Sequence, residues 1–196
     1  MTEVTSMRIG VVGVGAIALA MAAWLARSGH DVRMWSPRAE PGRRAGPVKL
    51  TATGVVEIQT PVTLEIGPAR LVEHSEVLLI AVPVNAHRAV MDALLPHLRE
   101  GLTVLVSSMA SLSALYLFES ARARGCDITV ASFGTTVLTA RREGPMQVRV
   151  MTRRKELGVS SLPCARQESV LRLCGALFGE GFRADSNALA TTLSNI

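Results

Sequence analysis

Residues 9–26 read IGVVGVGAIALAMAAWLA, and the three glycines inside this apolar run decide what it becomes. The first half is β-branched (Ile9, Val11, Val12, Val14) and the second half is rich in alanine and leucine. β-Branched side chains favour a pleated strand, whereas alanine and leucine lose least in a helix. Met7–Val12 therefore predicts a buried strand and Ala16–Arg27 a helix, joined through a glycine turn. Unbroken, a run of this length would suit a membrane span or the core of a signal peptide. Interruption by Gly10, Gly13 and Gly15 argues for a soluble strand–turn–helix unit instead.

The turn itself reads Gly13-Val14-Gly15-Ala16-Ile17-Ala18, a GxGxxA pattern placed after a strand and opening a helix. Each small residue has a physical role. Gly13 permits the tight exit from the strand, and Gly15 lets a pyrophosphate approach the backbone without meeting a Cβ. Ala18 lets the helix pack closely on the sheet. The free N–H groups of the first helical turn, with the helix dipole, suit a diphosphate. Gly13, Gly15, Ala16 and Ile17 are accordingly the leading cofactor-binding candidates, for a dinucleotide. At the end of the next strand (Val32–Trp35), where an acid would bind the ribose diol of NAD, stands Ser36, with Arg38 two residues on. A hydroxyl plus a guanidinium suits a 2′-phosphate, which favours NADP over NAD.

Downstream, strand and helix patterns alternate. Val48–Ile66 predicts two short strands, Pro68–Ser75 a short helix, and Val77–Val82 a central strand apolar on both faces. Val84–Leu98 and Ser111–Arg124 read as helices, Thr103–Val106 and Ile128–Ala131 as strands. Such alternation implies right-handed crossovers and a parallel, doubly wound α/β (Rossmann-type) sheet. Thr136–Arg154 alternates around Gly144-Pro145, predicting an antiparallel hairpin added after that sheet. Helices follow at Ala165–Phe178 and from Asn187. Ligands of open α/β sheets bind beyond the carboxyl ends of the strands. That places Val82, Pro83, Ser107 and Thr135 as further cofactor contacts, with His87 as support on the substrate side.

Composition closes off other classes. Apolar residues make up 48% of the 196 and charged residues 19%, enough to bury a core. Three widely spaced cysteines form no CxxC pair, and four histidines no HExxH, so neither a disulfide scaffold nor a metal site is expected. No GxSxG or P-loop occurs, and no cysteine has a histidine nearby to activate it. The net charge of +5 and the cluster Arg141, Arg142, Arg149, Arg153, Arg154, Lys155 lack interleaved aromatics, only 4% of the chain being aromatic. A solvated strand face, or attraction for anionic cofactor and carboxylate substrates, accounts for them better than nucleic acid does.

Four stretches, GVVGVGAIALAMAAWLARSGHDVRMWS, VLLIAVPVNAH, FGTTVLTARREGPMQVRV and NALATTLSNI, resemble the octopine/nopaline (opine) dehydrogenases. The resemblance implies a dinucleotide domain over residues 1–184 and, from 185 to 196, the start of a helical substrate domain cut short. It implies reductive condensation of an amino acid with a 2-oxo acid through an imine, with NADP(H) or NAD(H) as cofactor. In that family the motif resembling LSNI runs into the proton-transfer histidine, so no catalytic residue is expected before Ile196. Asn195 matches the front of that motif and is expected to support the substrate side. The remaining expectations are a cytoplasmic protein with a homodimer as the oligomeric option, no nucleic-acid or membrane partner, and no activity from this chain alone. The alternatives are a ketopantoate-reductase- or glycerol-3-phosphate-dehydrogenase-like oxidoreductase, or a non-catalytic NADP-binding module.

Overall fold

The computed structural model describes residues 5–37, 45–107 and 111–193, and divides into two compact units. The first comprises residues up to Val82 together with Leu138–Arg153; the second comprises Pro83–Val137 and the residues from Arg154 onward.

In the first unit, β1 (Arg8–Val12) lies between β2 (Asp31–Trp35) and β5 (Val77–Ile80), parallel to both. The register Val11↔Met34 and Val11↔Leu79 aligns their apolar centres. Next to β2 runs β4 (Ile58–Leu64), again parallel, and β3 (Gly46–Gly54) returns antiparallel beside it. The two strands foreseen over Val48–Ile66 are thus a hairpin. Helix α1 (Ala16–Arg27) buries Ala18–Ala23 and Leu25, because small side chains let its backbone lie close to the strands. Gly29, at φ +90°, ends it in the left-handed conformation that glycine adopts without strain. Helix α2 (Pro68–His74) packs on β1 and β2. Gly10 makes that possible, since a Cβ there would collide with Ser75 Oγ and Leu71.

The hairpin foreseen over Thr136–Arg154 is present as β8 (Leu138–Gly144) and β9 (Gln147–Arg153). It does not extend the sheet after the last parallel strand. Instead β9 pairs with β3 in parallel, Thr51↔Gln147 to Gly54↔Val150, within the first unit. The reason is burial: Val148 and Val150 alternate inward and are 1% exposed, joining the layer beneath α1. Trp24 is flanked there by the Arg27 and Arg153 guanidinium groups at 5.5 and 5.9 Å.

The second unit contains the parallel pair β6 (Thr103–Val106) and β7 (Thr129–Phe133). Two strands that the hydropathy pattern did not reveal complete it: β10 (Leu157–Leu162), antiparallel to β7, and β11 (Phe182–Ala184), parallel to β10. Phe133, Phe178 and Phe182 stack at 5.9–6.4 Å between ring centres, and Ser132 and Ser160 share a buried hydrogen bond of 3.2 Å. Helix α3 (Val84–Leu94) stops earlier than Leu98, because Pro96 turns residues 95–97 into a 3-10 helix. Helices α4 (Ser111–Arg122), α5 (Gln167–Phe178) and α6 (Ala188–Leu193) complete the unit, Asn187 capping α6 through its Oδ1. Among the described residues no helix is long and apolar enough to cross a membrane.

Candidate functional site

The glycine turn leaves β1 at the carboxyl edge of the first unit. Gly13 donates its N–H to the Trp35 carbonyl at 2.7 Å, and Ala81 donates to the Val12 carbonyl at 2.9 Å. Gly13 sits at φ +122°, and a Cβ there would lie 2.6 Å from the Ala81 carbonyl oxygen, 3.1 Å from Val82 Cγ1 and 3.2 Å from Ala18 Cβ. The fold itself therefore demands glycine at 13, and a small residue at 18.

Gly15 is different. It lies at φ −76°, ψ 176°, extended backbone open to any residue, and a Cβ built on it meets nothing within 4 Å. Neither strain nor packing among the described residues requires glycine at 15. What its missing side chain preserves is space in front of the first turn of α1. That turn has no side-chain cap and no acidic residue. Its first backbone bond runs from the Leu19 N–H to the Gly15 carbonyl at 2.9 Å, so the N–H groups of Ala16, Ile17 and Ala18 have no partner within the helix. Gly15 is exposed, and Ala16 and Ile17 are half-buried. Aligned peptide dipoles put roughly half a positive charge there. The arrangement fits a diphosphate, which would occupy the volume that a Cβ would fill.

The same edge gathers Ser36 at the end of β2, buried and already engaged within the protein, and half-buried Val82 after β5. Arg38 lies outside the described residues. A residue missed in the sequence stands beside them: Glu65, beyond β4, bonds its N–H to the Met34 carbonyl at 2.8 Å. Its carboxylate is 6% exposed and held by Arg33 Nη1 at 2.8 Å. The guanidinium offsets a negative charge that would otherwise oppose an anion at this edge. The signal available was an acid closing an alternating strand.

In the second unit, Ser107 directly follows β6 and Thr135 follows β7 by two residues; the register Val106↔Ser132 puts both at the carboxyl end of the pair. Ser107 is 3% exposed, and its hydroxyl has no partner among the described residues. Pro83 is exposed and caps α3 in an extended conformation. His87, expected as support on the substrate side, is only 2% exposed. Val90, Met91 and Leu94 share its buried helix face. Asp185 has one carboxylate oxygen on Arg183 Nη1 at 2.7 Å and the other buried without a partner among the described residues. Asn195 lies outside those residues. Burial pushes the Cys174 thiol up to about 12 and raises Cys126 as well, opposite to what a thiolate nucleophile needs. The described residues contain no group of three or more metal-ligating side chains.

A glycerol-3-phosphate dehydrogenase (NAD(P)+) of Methylococcus capsulatus is 30% identical over 119 residues, 58% of this chain and 36% of that protein. Octopine dehydrogenase, solved with NADH and pyruvate, superposes with a TM-score of 0.71 at 16% identity, over 95% of this chain and 52% of that one. Yersinopine dehydrogenase with NADP+ bound gives 0.67 at 18%, over 95% of this chain and 49% of its own. A PanE/ApbA family ketopantoate reductase from Ralstonia eutropha JMP134 gives 0.64 at 20%, over 92% and 57%. At such identities these structures establish a shared Rossmann-like fold. The chain spans about half the length of these solved structures and little more than a third of the curated relative. Residues 9–163, most of the chain and including the glycine turn, match the model of the ketopantoate reductase PanE/ApbA family, to which the chain belongs.

Proposed function

We propose that the chain binds NADP(H) or NAD(H) across Gly13–Ala18 and forms the nucleotide half of an opine-type dehydrogenase. The observation that carries the reading is Gly15: a glycine that nothing among the described residues requires, opening onto the bare N-terminus of α1. Ala16, Ile17 and Ala18 offer N–H groups to the diphosphate, and Gly15 gives it room. Ser36 and Arg38 meet the adenosine ribose, and their hydroxyl and guanidinium favour a 2′-phosphate. Pro83, Ser107 and Thr135 each follow a strand or open a helix at a carboxyl end, and are the proposed contacts of the nicotinamide portion. His87, buried in α3, shapes the substrate side, as does Asn195.

When bound, the cofactor supplies a hydride. The amine of an amino acid and the carbonyl of a 2-oxo acid lose water to form an imine; hydride and a proton then give a secondary-amine dicarboxylate. Amino-acid and oxo-acid substrates are supported by solved relatives that carry pyruvate, L-arginine or agmatine. No residue up to Ile196 is assigned the proton transfer, and residues 185–196 are proposed to open the helical domain that supplies it. The setting proposed is the cytoplasm. The family match over residues 9–163 favours a second reading, reduction of a 2-oxo acid without an amine.

Two measurements separate these. Titration with NADPH should saturate at one site per chain; absence of binding refutes both readings. NADPH oxidation by the protein carrying its helical domain, with 2-oxo acids alone and then with amino acids added, decides between them. Turnover that needs the amine supports the opine reading. Turnover with the oxo acid alone overturns it in favour of the second.

A further inference from the structure

At the amino edge of the first unit, the opposite end of β1 from the glycine turn, two histidines are buried around the start of β2. His30 is 6% exposed, and its Nδ1 accepts the Met7 N–H at 3.2 Å where the chain enters β1. An imidazole nitrogen accepts only while it is unprotonated, so this bond requires the neutral ring with its proton on Nε2. Nε2 is itself buried without a partner among the described residues. The same junction is tied by the Asp31 N–H to the Met7 carbonyl at 2.9 Å and by the Ser6 hydroxyl to the Gly29 carbonyl at 2.8 Å.

His74, 8% exposed, ends α2 with Nε2 3.4 Å from the Asp31 carbonyl oxygen and 3.7 Å from its carboxylate. Among the described residues, the charges acting on His74 are those of Arg33, Arg8 and Asp31. Arg27, closing α1, is turned to the Val55 carbonyl at 3.3 Å; Arg8 of β1 pairs with Glu76 at 3.5 Å; Arg33 of β2 is held by Glu65 at 2.8 Å. Burial lowers the pKa of both rings; at His74 the charges of Arg33 and Arg8 lower it further, against an upward pull from Asp31.

We propose that His30 is a proton-sensitive latch on β1, and that acid weakens ligand binding at Gly13–Ala18 by releasing the Met7 N–H. β1 is five residues long, so Met7 and Gly13 flank one short strand. Protonating His30 sets a donor against the Met7 N–H donor, in place of an acceptor, and leaves a charge in a buried position. Both rings titrate lower in the folded chain than in the unfolded one, so the unfolded chain holds more protons over that interval. Stability is then complete above about pH 6.5 and falls as pH drops below it. By linkage, a ligand held at the turn opposes proton uptake at the latch. The effect on binding rests on the dinucleotide reading; the latch itself does not.

The test follows imidazole proton shifts and the melting temperature of the ligand-free chain from pH 8 to 5, and NADH affinity at pH 7.5 and 5.5. NADH is the probe because it lacks the 2′-phosphate monoester, which itself titrates near pH 6. The expected results are His30 titrating below about 6.5, a melting temperature that falls over the same interval, and a loss of NADH affinity between pH 7.5 and 5.5. His30→Asn keeps an acceptor toward Met7 without a titrating group and should reduce the pH dependence, whereas His97→Asn, at an exposed position, should not. His30 titrating at or above about 6.5 in the wild-type chain overturns the latch, whether or not the variants fold. Equal NADH affinity at the two pH values overturns its effect on the turn. No NADH binding at pH 7.5 refutes the dinucleotide reading, and with it that effect, while the ring titrations still decide the latch.

Discussion

Gly15→Val separates ligand space from fold more cleanly than any other single change. The backbone at φ −76°, ψ 176° accepts valine, and its Cβ would meet nothing within 4 Å. Replacing glycine where the conformation is compatible restricts the unfolded chain and stabilises by about 0.4–1 kcal/mol. Valine is a poorer N-cap than glycine, at a cost of about 0.5–1 kcal/mol. The two offset each other, and the melting temperature should move by no more than about 4 °C in a chain of this size. Binding should behave differently, because the added side chain fills the space before the Ala16 and Ile17 N–H groups. Two charge-assisted phosphate contacts at about 1.5 kcal/mol or more each make at least about 3 kcal/mol, a hundredfold or greater loss of affinity. Calorimetric titration with NADPH, beside a thermal melt of each protein, reads both quantities. Gly13→Ala is the contrasting control: its Cβ would lie 2.6 Å from the Ala81 carbonyl at φ +122°, and should cost about 1–3 kcal/mol of stability. The reasoning is refuted if Gly15→Val binds NADPH within twofold of wild type, or if it unfolds.

Further substitutions probe the frame. Gly158→Ala would drive its Cβ into the Asp185 carboxylate and should destabilise by about 1–3 kcal/mol. Adding Asp185→Ala should recover part of that loss in a double-mutant denaturation cycle; strict additivity would contradict the contact. Phe178→Ala should cost about 3–5 kcal/mol in chemical denaturation, since it vacates the ring cluster with Phe133 and Phe182. Arg38→Ala should weaken NADPH binding by about 1.5–3 kcal/mol and leave NADH almost unchanged. Parallel titrations with the two cofactors check this, and an unaltered NADPH/NADH ratio would remove Arg38 from the phosphate site.

How far the sequence reached depended on whether a signal was local. The β1–turn–α1 unit was legible because its strand, glycines and alanine-rich helix sit within twenty residues, each with its own propensity. The two glycines nevertheless looked alike in sequence; only the backbone shows that Gly13 is demanded by Ala81 and Val82 while Gly15 faces open space. The β8–β9 hairpin was legible from alternation around Gly144-Pro145, but its docking on β3 was not. Pairing partners nearly a hundred residues apart leave no mark in a local pattern, and burial of Val148 and Val150 decides them. β10 went unseen because Gly158, Ser160 and Ser161 dilute its hydrophobicity. They are buried all the same, Ser160 by bonding Ser132 and Gly158 by admitting Asp185. The burial of His87 was available in the spacing, which sets it on the inward stripe with Val90 and Leu94.

The central claim, a dinucleotide held across the glycine turn, is tested most directly by amide-resolved NMR of the 196-residue chain titrated with NADPH. The account predicts saturable shifts led by Gly15, Ala16 and Ile17, spreading to Ser36 and Val82, with those of the turn absent in Gly15→Val. Shifts confined to the arginines of β8 and β9, or none at saturating NADPH, would contradict it.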